Sequence, residues 1–95
     1  MSRVIELFLI TAQSLIQDLE LACRAEEITA LCAASHKLRS ASAAVGALHL
    51  TSLCETLEQM ARSGSGCAPT AQIAAIAEEY NHVEAALTGS RLMLR

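Results

Sequence analysis

The sequence predicts an all-α protein, an antiparallel up-down-up-down four-helix bundle, and three observations carry that prediction. Apolar residues recur at three- and four-residue spacing along four separate stretches, the period of a helix that buries one face. Hydrophobic residues make up 53% of the chain but aromatics only 2%, with one Phe, one Tyr and no Trp, so the core must be built from Leu, Ile, Val and Ala, the materials of helix bundles. No period-2 run is long enough for a strand, and there is no internal repeat or low-complexity segment. The 95 residues correspond to a single domain, 1–95.

Helix one is expected over about 2–23, capped by Ser2, with Val4, Phe8, Ala12, Leu15, Leu19 and Ala22 as its stripe and Ile5, Leu9 and Ile16 widening it. Leu7, Ile10 and Leu21 point to the other side of the wheel. Three readings suit them: cover by the bundle on a second side, a docking surface for a partner, or a homodimer seam. The helix should fray around Cys23 to Ala25, placing Glu26 and Glu27 in the first turn of helix two, over about 26–45, where carboxylates favour the positive end of the helix dipole. Its stripe is Leu31, Ala34, Leu38, Ala41 and Val45, with Ile28 at the edge, and Gly46 supplies a C′ residue able to take positive φ.

Helix three is expected over about 47–62 on Leu50, Leu53, Cys54, Leu57 and Met60 or Ala61. The Ser- and Gly-rich run 63–69 then forms the clearest break. Helix four, about 70–88, follows on Ile73, Ile76, Tyr80, Val83 and Leu87, with Gly89 marking its end unless Leu92 and Leu94 continue it. Short connections make successive helices antiparallel.

Composition also excludes function classes. The formal charge is −3 and the basic residues are scattered, so the basic stripe that nucleic acid requires is missing. Cys23, Cys32, Cys54 and Cys67 show no close pairing, which reads as reduced thiols in a cytoplasmic protein. The apolar amino terminus is interrupted by Glu6, with Thr11, Gln13 and Ser14 soon after. It fits neither a secretory signal nor a membrane span.

One residue stands apart. At about 100° per residue, His36 projects about 160° from the centre of the helix-two stripe, into water. Its neighbours on that face are Cys32, Ala33, Arg39, Ser40 and Ala43, small apart from Arg39, so another protein could approach the imidazole closely. His49 and His82 lack such surroundings and read as incidental.

The run His36-Lys37-Leu38-Arg39-Ser40-Ala41-Ser42, then Gly46-Ala47, Leu50 and Leu53-Cys54-Glu55-Thr56-Leu57-Glu58, resembles the signature of histidine-containing phosphotransfer (HPt) domains. In that family a His is followed by Leu at the second position, Lys or Arg at the third and Gly at the fourth, with a later Gly-Ala opening a helix that holds Cys-x-x-Leu-Glu. Ser40 is the departure, standing where Gly is usual. The signature covers about a third of the chain; the four-helix layout is similar to the family throughout.

The resemblance implies a phosphorelay intermediate in which His36 is phosphorylated, exchanging its phosphoryl group with aspartates of response-regulator receiver domains. A solvent-exposed imidazole is largely neutral near neutral pH and can act as the nucleophile. The receiver would supply Mg2+, the phosphoryl-bearing aspartate and most of the transition-state stabilisation. This domain would then bind no cofactor and be a carrier rather than an enzyme, free-standing or as a segment of a hybrid sensor histidine kinase. A cytoplasmic monomer without membrane contact is expected. Arg39 can reach the phosphoryl oxygens, or else pair with a carboxylate on helix three. Lys37 sets local potential, Ser40 lies beside the imidazole, and Ser42 has a family counterpart although its hydroxyl can bond back to the preceding turn. Glu55 and Glu58 are expected to be solvated, yet either could orient the imidazole, and Glu58 is the preferred supporting residue. Cys32, Ala33, Ala43, Leu7 and Ile10 are the expected docking residues.

Two other classes compete. A helical adaptor or dimerisation module would leave His36 inert and use Leu7, Ile10 and Leu21. A Cys/His metal-binding bundle would build on Cys32 and His36, four apart, but no second pair stands at ligand spacing and no metal ligands are assigned. Independent catalysis lacks a nucleophile–base pair and a Gly-rich phosphate loop.

Overall fold

The computed structural model describes residues 3–64 and 69–88. Among them are four helices, α1 Arg3–Ala25, α2 Ile28–Ala44, α3 Leu48–Ser63 and α4 Thr70–Thr88, and no strand. Each helix packs on two neighbours, α1 on α2 and α4, and α3 on α2 and α4. Cross-links fix their directions. Tyr80 and Thr70 of α4 meet Leu9 and Cys23 of α1 in that order, His36 and Arg39 of α2 meet Glu58 and Glu55 of α3, and His49 and Leu53 of α3 meet Glu79 and Gln72 of α4. In every pair one residue number rises as the other falls, so the bundle is antiparallel throughout.

The core is a column of Leu19, Leu31, Leu38, Leu50, Leu57 and Ile76, all fully buried. Predicted stripe residues Val83, Leu87, Leu53, Ala41 and Val45 pack at its margin. Val4, expected in the stripe, is exposed instead of buried, and of the three readings for Leu7, Ile10 and Leu21 cover by a second side of the bundle fails, while Ile28, expected at the stripe's edge, is half exposed. The reason is geometric: a helix flanked by only two others keeps one face in solvent. Ser35 and Ser42 are buried among these leucines without cost in unmet polarity, because each hydroxyl donates to the carbonyl one turn back, Leu31 at 2.8 Å and Leu38 at 2.7 Å.

The first turn departs from expectation. Helix one does not fray at Cys23 but runs to Ala25 and closes with Glu26 at φ 56. The Glu26 amide donates to the Cys23 carbonyl at 3.2 Å and the Glu27 amide to the Ala22 carbonyl at 3.0 Å, the paired bonds of a Schellman ending. Glu26 and Glu27 are therefore in the connection, and α2 starts at Ile28 with Glu27 as an extended N-cap whose side chain caps nothing. The same ending recurs after α2, with Gly46 at φ 77 and amides of Gly46 and Ala47 on the carbonyls of Ala43 and Ser42. There the sequence-predicted glycine occupies C′. A β-carbon makes the left-handed region costly, so Glu26→Gly is expected to stabilise the fold by about 0.5–1 kcal/mol, net of the glycine's greater unfolded-state freedom, read as a higher urea midpoint at unchanged slope. A lower midpoint would show that the Glu26 side chain contributes more than its backbone costs.

Tyr80, the single tyrosine of the chain, is buried and donates its hydroxyl to the Leu9 carbonyl at 3.1 Å. Burial, helped by the nearby Glu84 carboxylate, pushes its pKa above the usual value. The raised folded-state pKa stabilises the fold at pH values below the tyrosine's unfolded pKa, and that contribution is lost as pH rises through the folded one. The ultraviolet tyrosinate band of the native protein should thus appear only above the pH at which the urea-unfolded chain ionises, with stability falling over the same interval. Coincident titrations in both states would contradict the assignment.

The Ser2 cap, Cys67, the middle of the 63–69 break, Gly89, Leu92 and Leu94 lie outside the described residues.

Candidate functional site

His36 sits midway along α2, and its side chain is 55% exposed. The leucines 31 and 38 anchor the opposite face of the same helix in the core, which fixes the imidazole's outward direction. The ring's Nδ1 edge faces α3. Arg39, one turn on, places Nη2 at 2.9 Å from Nδ1. A guanidinium has donors only, so a hydrogen bond at this contact makes Nδ1 the acceptor and assigns the hydrogen of a neutral ring to Nε2. Glu58 of α3 brings Oε2 to 3.5 Å from the same Nδ1, just outside hydrogen-bond reach. No side chain among the described residues pairs with Nε2.

Glu58 corrects the expectation of a solvated carboxylate: its side chain is only 7% exposed. A buried carboxylate requires counter-charge, and two guanidiniums provide it. Arg39 Nε lies 3.3 Å from Oε1, and Arg62, one turn further along α3, donates Nη2–H to Oε2 at 2.7 Å. Arg62 was not among the residues predicted for the site. Its signal in the sequence is the i,i+4 spacing from Glu58, with the acidic partner on the N-terminal side as helix pairs prefer. Glu55 remains half exposed and only 3.7 Å from Arg39 Nη1. One imidazole, two guanidiniums and the carboxylates of Glu58 and, at the edge, Glu55 thus form a charge-balanced cluster beside the exposed ring, whose guanidiniums are the groups able to meet an incoming dianion.

The other predicted residues fall as follows. Ser40 is exposed on the His36 face, and Lys37 is exposed on the flank towards α1, where with Ile10, Thr11, Ser14 and Leu15 it lines a groove between α1 and α2. Ser42 is not brought to the imidazole; it lies on the buried face with its hydroxyl on Leu38. Of the docking set, Leu7, Ile10, Ala33 and Ala43 are exposed and Cys32 is half-buried. Ala33 borders a second stretch of the same α1–α2 trough with Leu21 and Lys37. Cys54 is fully buried beneath the cluster, and burial pushes its thiol up to about 12 against the opposing pull of Arg39, so it is neither nucleophile nor thiolate ligand at neutral pH. Among the described residues no group of three or more His, Cys, Asp or Glu side chains is arranged to hold a metal ion.

His49 and His82 are less isolated than their sequence surroundings suggest. Their Nδ1 atoms stand 3.3 and 3.5 Å from one oxygen of Glu79, linking α3 to α4. Both rings are well exposed, and pairs of that kind contribute little stability.

Fold and cluster together define a helical protein whose distinctive group is a rigidly mounted surface imidazole with charged side chains behind one nitrogen and solvent before the other. The Hpt domain family model matches residues 3–86, and the chain belongs to that family. Its members are phosphocarriers of two-component signalling rather than catalysts, and they work with response-regulator receivers. No curated protein and no solved structure matches the chain. No helix among the described residues is long and apolar enough to cross a membrane.

Proposed function

We propose that the chain is a phosphorelay intermediate that accepts a phosphoryl group on His36 from the aspartate of one receiver domain and returns it to that of another. The observation that carries this reading is the presentation of His36, open to solvent on one ring edge and on the other held by Arg39 at 2.9 Å, with Glu58 facing the same nitrogen at 3.5 Å. Transfer between proteins needs a nucleophile that protrudes, stays still and meets its counter-charge in place. Arg39 and Arg62 offset the charge added on phosphorylation, and Lys37 extends positive potential towards the α1 side. The receiver brings its divalent cation, expected to be Mg2+, and the transition-state stabilisation; this chain brings position. Docking uses the small residues around His36 and the α1–α2 trough, where Ile10 and Leu21 offer apolar area and Lys37 a charged rim. The domain acts as a cytoplasmic monomer, by itself or within a hybrid sensor kinase.

The test is transfer from a panel of phosphorylated receiver domains, read by intact mass and by acid lability of the bound phosphate. One acid-labile phosphate per chain from at least one receiver is expected. Receivers that bind the chain tightly yet never transfer, while a small phosphoryl donor does label His36, would move the assignment to an adaptor using Leu7, Ile10 and Leu21.

A further inference from the structure

We propose that Arg39 is a latch on the tautomer of His36, holding the outward nitrogen non-nucleophilic until a phosphoryl group draws the guanidinium away; the latch stands on geometry, and only its purpose rests on the phosphotransfer reading. With Arg39 Nη2 donating to Nδ1 at 2.9 Å, the ring hydrogen is on Nε2, whose electron pair then belongs to the aromatic system and cannot attack. The nitrogen that does carry a free lone pair, Nδ1, is covered by Arg39 and faces Glu58. The resting site therefore has its basic nitrogen inward and its accessible nitrogen blocked by a proton.

The second state is already laid out. Glu58 Oε2 stands 3.5 Å from Nδ1, and a closure to about 2.8 Å would make it the acceptor of an Nδ1–H bond. Arg39 is poorly held where it is. Its Nε is buried without a hydrogen-bond partner, its approach to Glu58 Oε1 is 3.3 Å, and its one short bond goes to a neutral ring nitrogen. A phosphoryl oxygen is a charged acceptor and forms a stronger bond with the same guanidinium. Departure of Arg39 does not strand Glu58, since Arg62 donates to Oε2 at 2.7 Å.

The sequence of events balances. The arriving phosphoryl oxygens take Arg39; Nε2 gives its proton to water and Nδ1 takes one from water, with no net proton change. The new Nδ1–H donates to Glu58. The freed Nε2 pair forms the N–P bond as the P–O bond to the donor's aspartate breaks, its electron pair leaving with the carboxylate. The phosphorylated ring keeps Nδ1–H, and its positive charge faces Glu58. Arg39 acts here as a positioning residue, one that ties the reactive tautomer to the presence of a substrate and leaves the imidazole poorly reactive between encounters.

Two-bond 1H–15N correlation of the imidazole, on the whole chain at a pH where the ring is neutral, reads the tautomer directly. Native His36 is expected as the Nε2–H form. Arg39→Met keeps the aliphatic stem and removes the donor, and it should raise the ratio of Nδ1–H to Nε2–H on the order of tenfold, the worth of one charge-assisted hydrogen bond. Adding Glu58→Met in that background removes the acceptor for Nδ1–H and should lower the ratio again, though not to its native value, since the Arg39 donor is still missing. A native ring that is mainly Nδ1–H, a ratio unmoved by Arg39→Met, or a ratio no lower in the double variant than in Arg39→Met overturns the latch. No receiver is present in this experiment, so its failure leaves phosphate uptake intact as a question, and failed uptake with the tautomer ratios as expected counts against the function alone.

Discussion

In His36→Gln, uptake of acid-labile phosphate from receiver domains is expected to disappear, while stability changes by less than about 0.5 kcal/mol. The separation follows from where the side chain sits. More than half of it is in solvent, so its removal opens no cavity, and helix packing depends on Leu31 and Leu38 on the opposite face. The Gln amide oxygen can still accept from Arg39, and Glu58 keeps both arginines. The loss of labelling should be complete because in the proposed function the imidazole is the bond-forming group itself. His49 and His82 act as internal controls, since both remain in the variant on the Glu79 carboxylate. Phosphate persisting in His36→Gln would place the acceptor at one of those rings and refute the assignment of His36.

The largest stability effect is expected from removing both arginines that face Glu58. Arg39→Met leaves the carboxylate with Arg62, and Arg62→Met leaves it with Arg39, so each single change should cost about 1 kcal/mol or less. The double variant buries a carboxylate without any cation. Breaking a buried pair in this way costs on the order of 3 kcal/mol, and for a chain of this size that lowers Tm by more than about 10 °C. The two changes should therefore be strongly non-additive, with a coupling of about 1–2 kcal/mol in a double-mutant cycle. Simple additivity would mean that Glu58 is reached by water well enough to stand alone. Replacing Glu58 by Met as well should recover much of the loss, because an apolar side chain of similar volume leaves no charge stranded.

The groove along α1 and α2 gives the exposed apolar residues a common setting. Ile10 and Lys37 border the same trough, and Lys37 is the residue after His36. A receiver placed over the imidazole would thus meet apolar area from α1 and charge from α2 in one footprint. Leu48 and Val4, the most exposed of the large apolar side chains besides Ile10, lie outside that trough and have no assigned role.

Much of this protein is written in local patterns. Four helices, their limits to within a few residues, and the outward direction of His36 all follow from a 3.6-residue period, which is set by backbone geometry and needs no knowledge of neighbours. Gly46 announces the end of α2 because a left-handed residue is needed there. The first ending escaped the same logic. Glu26 takes the left-handed position without being glycine, and only the bonds back to Ala22 and Cys23, together with the packing of α2 on α1, hold it there.

The tertiary structure decided which carboxylate is buried, which arginine serves it and which nitrogen of His36 is free. Glu55 and Glu58 are both plausible partners on one helix. The register of α3 against α2, set by the connection through Val45, Gly46 and Ala47 and by leucines packing from both sides, puts Glu58 under the imidazole and leaves Glu55 at the edge. Charge, spacing and helical period are properties of a segment. Register is a property of two segments packed together, and the chemistry of the site depends on it.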